Sequence, residues 1–197
     1  MAADNKQIYE SGISPEGVGI YVWLEKPDTK FGKSQFKTGL VLDKGTKAND
    51  EFAKKLNALH KAAGGKKSQN PVKDGDDIAD DNDKKENLRG KWVVQFKSKN
   101  KPTLVDAKKN SLAVPPRSGD LLRVAYSVKG MQGDGDAGYK GAVLYLNKVQ
   151  LLERRNHGNS GPDFDEADGY EADSAEAPIK GNNEDGDGPQ DDGSGDF

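Results

Sequence analysis

Charge is divided along this chain, and the division limits how much of it can fold. Residues 156–197 hold thirteen acids against one base, Lys180, and no apolar periodicity interrupts their Gly, Asp, Asn and Pro. A segment of that kind buries too little apolar surface to offset the entropy of ordering it, so a disordered acidic C-terminal tail is expected there. The 155 residues before it carry the remaining 29 bases against 20 acids, a surplus of nine positive charges, although the whole chain nets -3. The predicted organisation is a folded basic domain over 1–155 and a tail over 156–197. Joined in one chain, they suggest a polyanion-binding surface and a segment able to compete for it.

Several function classes drop out early. The chain has no cysteine and only two histidines, His60 and His157. Thiolate metal sites and cysteine nucleophiles are therefore absent, and neither histidine has a second at zinc-ligand spacing. No Walker motif is present, and no histidine is placed to support a hydrolytic triad. The expectation is a non-enzymatic protein without a cofactor or metal. No apolar run approaches the roughly 20 residues of a membrane span. Residues 1–10 lack the basic-then-apolar order of a secretion signal, so a soluble cytoplasmic protein is expected.

Within the basic part the dominant period is two. Residues 19–24 read as a first strand, Ile20, Val22 and Leu24 alternating with Tyr21 and Trp23, and Pro27 is expected to end it. Residues 36–42, 91–99, 121–128 and 142–152 read as four further strands, with 104–106 as a short continuation of the third. Residues 49–63 form the one good helix: Phe52, Leu56, Leu59 and Ala63 recur at helical spacing, Asn49 or Asp50 caps the start, and Gly64-Gly65 stops it. His60, beside that stripe, reads as a surface or boundary residue. Residues 66–89, polar and nearly free of apolar side chains, read as a long surface loop. Five strands, one helix and long loops predict a mainly β fold, a five-stranded OB-fold barrel.

Two motifs can be set aside. Asp74 to Asp83 is rich in carboxylates but lacks the ordered calcium-loop pattern. Residues 133–138 spell G-x-G-x-x-G, yet a strand follows and two aspartates would repel a pyrophosphate, so they read as a hairpin tip. What remains is the interleaving of rings and cations along the strands. Lys33, Lys37, Lys97, Lys99, Arg123, Lys129 and Lys140 lie near Tyr21, Trp23, Phe36, Trp92, Phe96, Tyr126, Tyr139 and Tyr145. Cations that neutralise phosphates, beside rings that stack on bases, are the equipment of single-stranded nucleic-acid binding. Most surface lysines only solvate, and Trp92 and Phe96 share the face of Val94, so they read as core. Tyr139, beside Lys140 in a loop, is the better stacking candidate. At the far end, Asp191, Asp192 and Asp196 lead to Phe197, an aromatic terminus that a basic pocket on a partner can grip.

Residues 21–28 (YVWLEKPD), Phe31-Gly32, the strand 36–42, residues 121–128 (LLRVAYSV), 143–153 and the acidic close at Gly195-Asp196-Phe197 together resemble the T7-like phage single-stranded DNA-binding protein family. The resemblance spans most of the chain, with a gap over 66–89. It implies an OB-fold, a homodimer, strand annealing, and a role in phage DNA replication, recombination and repair. It also implies that the tail contacts the phage DNA polymerase and helicase-primase. By motif position it places groove bases and a stacking ring at Lys33, Lys97, Lys99, Arg123 and Tyr139. The family carries an arginine shortly after its Phe-Gly, where this chain has Lys33, Gln35 and Lys37. Two other readings are compatible with the residues alone: an RNA-binding OB module, and a protein-interaction adaptor.

Overall fold

The computed structural model describes residues 9–30, 34–131 and 139–155. They form eight strands: β1 (Tyr9–Ile13), β2 (Gly17–Asp28), β3 (Gln35–Asp43), β4 (Val72–Asp74), β5 (Lys91–Ser98), β6 (Thr103–Val105), β7 (Leu121–Met131) and β8 (Gly141–Glu153). Five of them close on themselves. β2 pairs with β3, β3 with β5, β5 with β8, β8 with β7, and β7 returns to β2 through Gly17↔Leu122 and Val18↔Leu121. Only the β5–β8 contact in this ring is parallel, a single register pair at Lys97↔Tyr145. β1, β4 and β6 add to the edges of β7, β5 and β8. The fold is therefore mainly β and barrel-like, as the strand pattern predicts, with the five predicted strands making up the ring.

Alternation along the strands sets inside from outside. Leu24, Leu40, Val94, Phe96, Val124, Leu144 and Leu146 point inward and are almost fully buried. Helix α1 (Lys47–Ala62) packs Phe52, Ala53 and Leu56 against this core, with the Phe52 ring edge-on to Tyr126 at 5.7 Å between centroids. Thr46 is its N-cap; Asn49 and Asp50 lie in the first turn instead. There Asn49 donates to the Asp43 carbonyl, and Asp50 accepts from the Gly45 amide and from the indole of Trp92. Gly64, at φ +73°, ends the helix as expected.

Four expectations need correction. β2 continues past Pro27 to Asp28, because the β2–β3 ladder is irregular between Trp23 and Asp28 and has little need of the missing N–H there. Tyr21 (φ +51°) is the extra residue of a bulge, so Ile20 covers Gly39 on the outer face instead of joining Val22 and Leu24. Residues 66–89 are ordered: a 3-10 turn (Lys67–Gln69), β4, the helix α2 (Gly75–Asp81) capped by the Asp74 carboxylate, and a 3-10 stretch (Asp83–Leu88) that buries Leu88. The fourth is His60, which is 3 % exposed. Its Nε2 donates to the Lys66 carbonyl at 2.9 Å, and its Nδ1 accepts from the Ala142 amide at 3.1 Å. The ring fits because Gly65 and Gly141 flank it; a Cβ at either would come within 2.3 Å of an imidazole atom.

Candidate nucleic-acid interface

On the outside of the ring, residues opposite one another on neighbouring strands share a face. The register Trp23↔Lys37, Lys37↔Lys97 and Lys97↔Tyr145 therefore lines up ring, cation, cation and ring across β2, β3, β5 and β8. Strand spacing of about 4.8 Å makes this belt about 14 Å long. It continues through Tyr145↔Ser127 and Ser127↔Ser11 onto β7 and β1, where the two serine hydroxyls lie 3.1 Å apart. Trp23 is 45 % exposed, whereas Trp92 packs against the core. The belt crosses the second and third strands of the ring, the surface on which OB-folds bind oligonucleotides together with two adjoining loops.

The predicted site residues fall in three groups. Lys37 and Lys97 sit side by side on the belt. Tyr139 adjoins them, the Lys97 ammonium lying 5.6 Å from its ring centroid. Its hydroxyl donates to the Ala142 carbonyl at 2.8 Å, with the Gln69 carbonyl at 3.1 Å, and burial raises its pKa. Tyr139 is thus an anchored ring that carries a cation. Lys140 follows it in the β7–β8 connection, and Lys99 is exposed just past the end of β5. Arg123 stands apart. It lies on the outer face of β7 but four residues, about 13 Å, from Ser127, and it is paired with Glu16. Lys33 in the β2–β3 connection, and Asp191, Asp192, Asp196 and Phe197 in the tail, lie outside the described residues.

One feature of the site was not legible as such in the sequence. Asp28, 8 % exposed at the end of β2, forms an ion pair with Lys37 and accepts the Lys30 amide at 2.9 Å. Lys37 first, and then that amide, hold the Asp28 carboxyl below the ordinary aspartate range. A belt cation is thereby fixed in place with part of its charge compensated.

No protein-family model and no curated protein sequence matches this chain. Solved structures do. "gp2.5, a single-stranded DNA binding protein encoded by bacteriophage T7" superimposes with a TM-score of 0.55 at 18 % identity, covering 84 % of this chain and 100 % of that one. The single-stranded DNA-binding protein of bacteriophage Enc34, in complex with ssDNA, gives 0.55 at 17 % identity, covering 76 % and 88 %. A C-terminal truncation of the Enc34 protein gives 0.54 at 16 %, covering 76 % and 87 %. The chain has the fold of the phage single-stranded DNA-binding proteins. The resemblance drawn from the sequence therefore holds at the level of architecture. Within this phage fold, the belt occupies the outer surface of the ring.

Proposed function

We propose that this protein binds single-stranded DNA without sequence preference along the outer belt of its barrel. The observation that carries the reading is the register that places Trp23, Lys37, Lys97 and Tyr145 in one row. Phosphates meet the lysines, bases lie on the flanking rings, and nothing in the row reads base edges. The solved Enc34 neighbour held with ssDNA supports the same ligand. Lys99 and Lys140, on connections next to the belt, extend the electrostatic path, and Lys33, between β2 and β3 in the sequence, adds a further cation to it. Arg123 contributes from further along β7, once its pairing with Glu16 yields to phosphate.

The acidic tail acts in two ways in this reading. Its carboxylates compete with DNA for the cationic surface, and Asp191, Asp192, Asp196 and the terminal Phe197 recruit the phage DNA polymerase and helicase-primase. As a homodimer in the host cytoplasm, the protein would serve phage replication, recombination and repair, including strand annealing.

The test is fluorescence anisotropy of labelled oligo-dT titrated with the full chain and with residues 1–155, across a salt series. The expected result is a linear fall of log K with log salt, of about 0.7 per phosphate contacted. Binding by 1–155 should be tighter than by the full chain. Affinity that does not change with salt overturns the reading, and tighter binding of a matched RNA oligomer would make the chain an RNA module instead.

A further inference from the structure

A groove of about 580 Å³ lies along β2, walled on its other side by residues 113–118. Val22, Trp23 and Leu24 form the β2 wall, and Val114, 54 % exposed, stands on the opposite one. The far wall is built, not a slack connection. Pro115 and Pro116 stiffen it. The Arg154 guanidinium donates to the Val114 carbonyl at 3.0 Å and to the Pro115 carbonyl at 3.4 Å. Asp120, 1 % exposed, accepts the backbone amides of Arg117 and Arg155 at 2.8 and 3.1 Å. The hydroxyl of Ser118 accepts the Val22 amide at 3.3 Å, which ties the wall to the strand.

Two cations line this groove, Lys26 and Arg117, against one acid, Glu25. Both cations are exposed, and neither side chain forms an ion pair or hydrogen bond among the described residues. Arg89, Arg123 and Arg154, by contrast, each meet a carboxylate. The groove also lies where the belt stops: Trp23 is the last ring of the row and simultaneously a wall of the groove. Continuity, an accessible indole, an apolar opposing wall and uncompensated positive charge occur together at one place.

From this we infer that the groove is a terminal subsite for one unpaired nucleotide, its base stacked on Trp23 against Val114 and its phosphate held by Arg117 and Lys26. The inference rests on the proposed binding of single-stranded DNA and adds an end to the path. A strand long enough to leave the belt over β2 enters the groove, while a short one is satisfied by the belt alone. The groove is walled by the β2 edge that faces away from β3, so it extends the footprint beyond the central strands of the ring.

The experiment compares two oligo-dT lengths, four and sixteen nucleotides, the ends of the range covered by about 4–16 nucleotides per OB fold. Arg117→Ala is expected to weaken the longer oligomer and to reduce its salt slope by about 0.7, the loss of one phosphate contact. Trp23→Ala, which removes a ring that belt and groove share, weakens both lengths, by about tenfold for one stacking contact. Arg117→Ala should leave the shorter one within about twofold of the unaltered chain. Intrinsic fluorescence gives a second readout. Trp92 lies under Lys44 and is hydrogen-bonded to Asp50, so quenching by the longer oligomer should disappear in Trp23→Ala. Unchanged binding of the longer oligomer by Arg117→Ala overturns the subsite and leaves the belt reading intact. Equal weakening of both lengths by Arg117→Ala also overturns it, by making Arg117 part of the belt. If the unaltered chain binds neither oligomer, the proposed function itself fails.

Discussion

Residues 66–91 and the outer belt are both rich in charge, yet they use it in opposite ways. In and around 66–91 four cations meet carboxylates: Lys44 reaches Asp74 and Asp76, Lys67 reaches Asp77, Arg89 reaches Asp80 and Glu86, and Lys91 reaches Asp43, whereas Lys73 donates to the Ser68 carbonyl and Lys85 lies on the Tyr21 ring. Lys44 also lies 4.7 Å from the centroid of the Trp92 ring, completing a clasp between the end of β3, α2 and β5. On and around the belt, Lys26, Lys99, Arg117 and Lys140 have no carboxylate partner among the described residues, while Lys37 is held by Asp28 and Lys97 lies on the Tyr139 ring. Counting basic residues would not separate the two regions. What separates the four clasped cations from Lys26, Lys99, Arg117 and Lys140 is that their positive charge is already compensated before a polyanion arrives.

The largest expected effect breaks the comparison on the belt side. Replacing both Lys37 and Lys97 by alanine should remove two phosphate contacts, reducing the salt slope of oligo-dT binding by about 1.4. Replacing both Lys67 and Arg89 should leave slope and affinity unchanged in the same anisotropy assay. A loss as large in the second pair would mean that cations clasped by carboxylates bind DNA as well as those of the belt, and the distinction would fall.

Next in size is a stability effect confined to the clasp. Lys44→Met leaves two carboxylates without their cation and should lower the thermal midpoint by roughly 2–4 °C, the shift about 1 kcal/mol produces in a chain of this size. Oligo-dT affinity should not change. The contribution of Lys44 also has a direction in pH. Hydrogen bonds to Asp74 and Asp76 raise its pKa against the opposing effect of burial. Its stabilisation is therefore fully present below the unfolded-state value of about 10.4 and is lost as pH rises through the higher folded value. Melting curves of the two chains should converge at strongly alkaline pH.

The smallest effect converts a compensated cation into a free one. Asp28→Asn removes the counter-charge of Lys37 and should tighten oligo-dT binding at neutral pH by a few-fold at most, the scale of one partly exposed ion pair. It should also change the acid limb of stability. Because the Asp28 carboxyl is held low in the folded chain, its stabilisation is present above about pH 3.9 and fades as pH falls through the folded value. The Asp28→Asn chain should lack that component, which thermal melts between neutral and strongly acid pH would reveal. Weaker DNA binding by this variant would show that Asp28 positions Lys37 more than it neutralises it.

Four of the ring strands were legible because each alternates residues along a half-buried surface, and β8 because 142–152 is the most hydrophobic run of the chain. β1 was not, for a specific reason. The inward position Gly12 presses against the Tyr126 ring, where a Cβ would sit 2.8 Å from the phenol oxygen, and Glu10 reaches Lys55 on α1. Neither is apolar, so no period-two signal exists. α2 escaped notice because seven residues with four aspartates carry almost no hydrophobic pattern; its order comes from the Asp74 cap and the clasp around Lys44. The burial of His60 depends on two glycines, at 65 and 141, that are distant in sequence from each other or from the helix face it occupies.

For the site, residue types were readable and their assembly was not. Lys37 and Lys97 become neighbours only through the β3–β5 register, and Tyr145 joins them only through the parallel contact with β8. Trp23 showed its outward direction by alternating with Val22 and Leu24, but nothing in its neighbourhood announced Arg117, ninety-four residues away, across the same groove. Arg123 looked equivalent to the belt lysines in sequence; its distance along β7 and its pairing with Glu16 are properties of the folded chain.

The parallel pair Lys97↔Tyr145 has a mechanical consequence. It is one of two short joins of the cylinder, the other being the two pairs between β2 and β7, in a ring otherwise stitched over longer antiparallel stretches. A polymer lying across both residues acts as a staple on that join, so ligand and barrel closure reinforce one another. Occupancy should then slow the opening of β5 from β8, and amide exchange around Lys97 and Tyr145 should report an occupied surface.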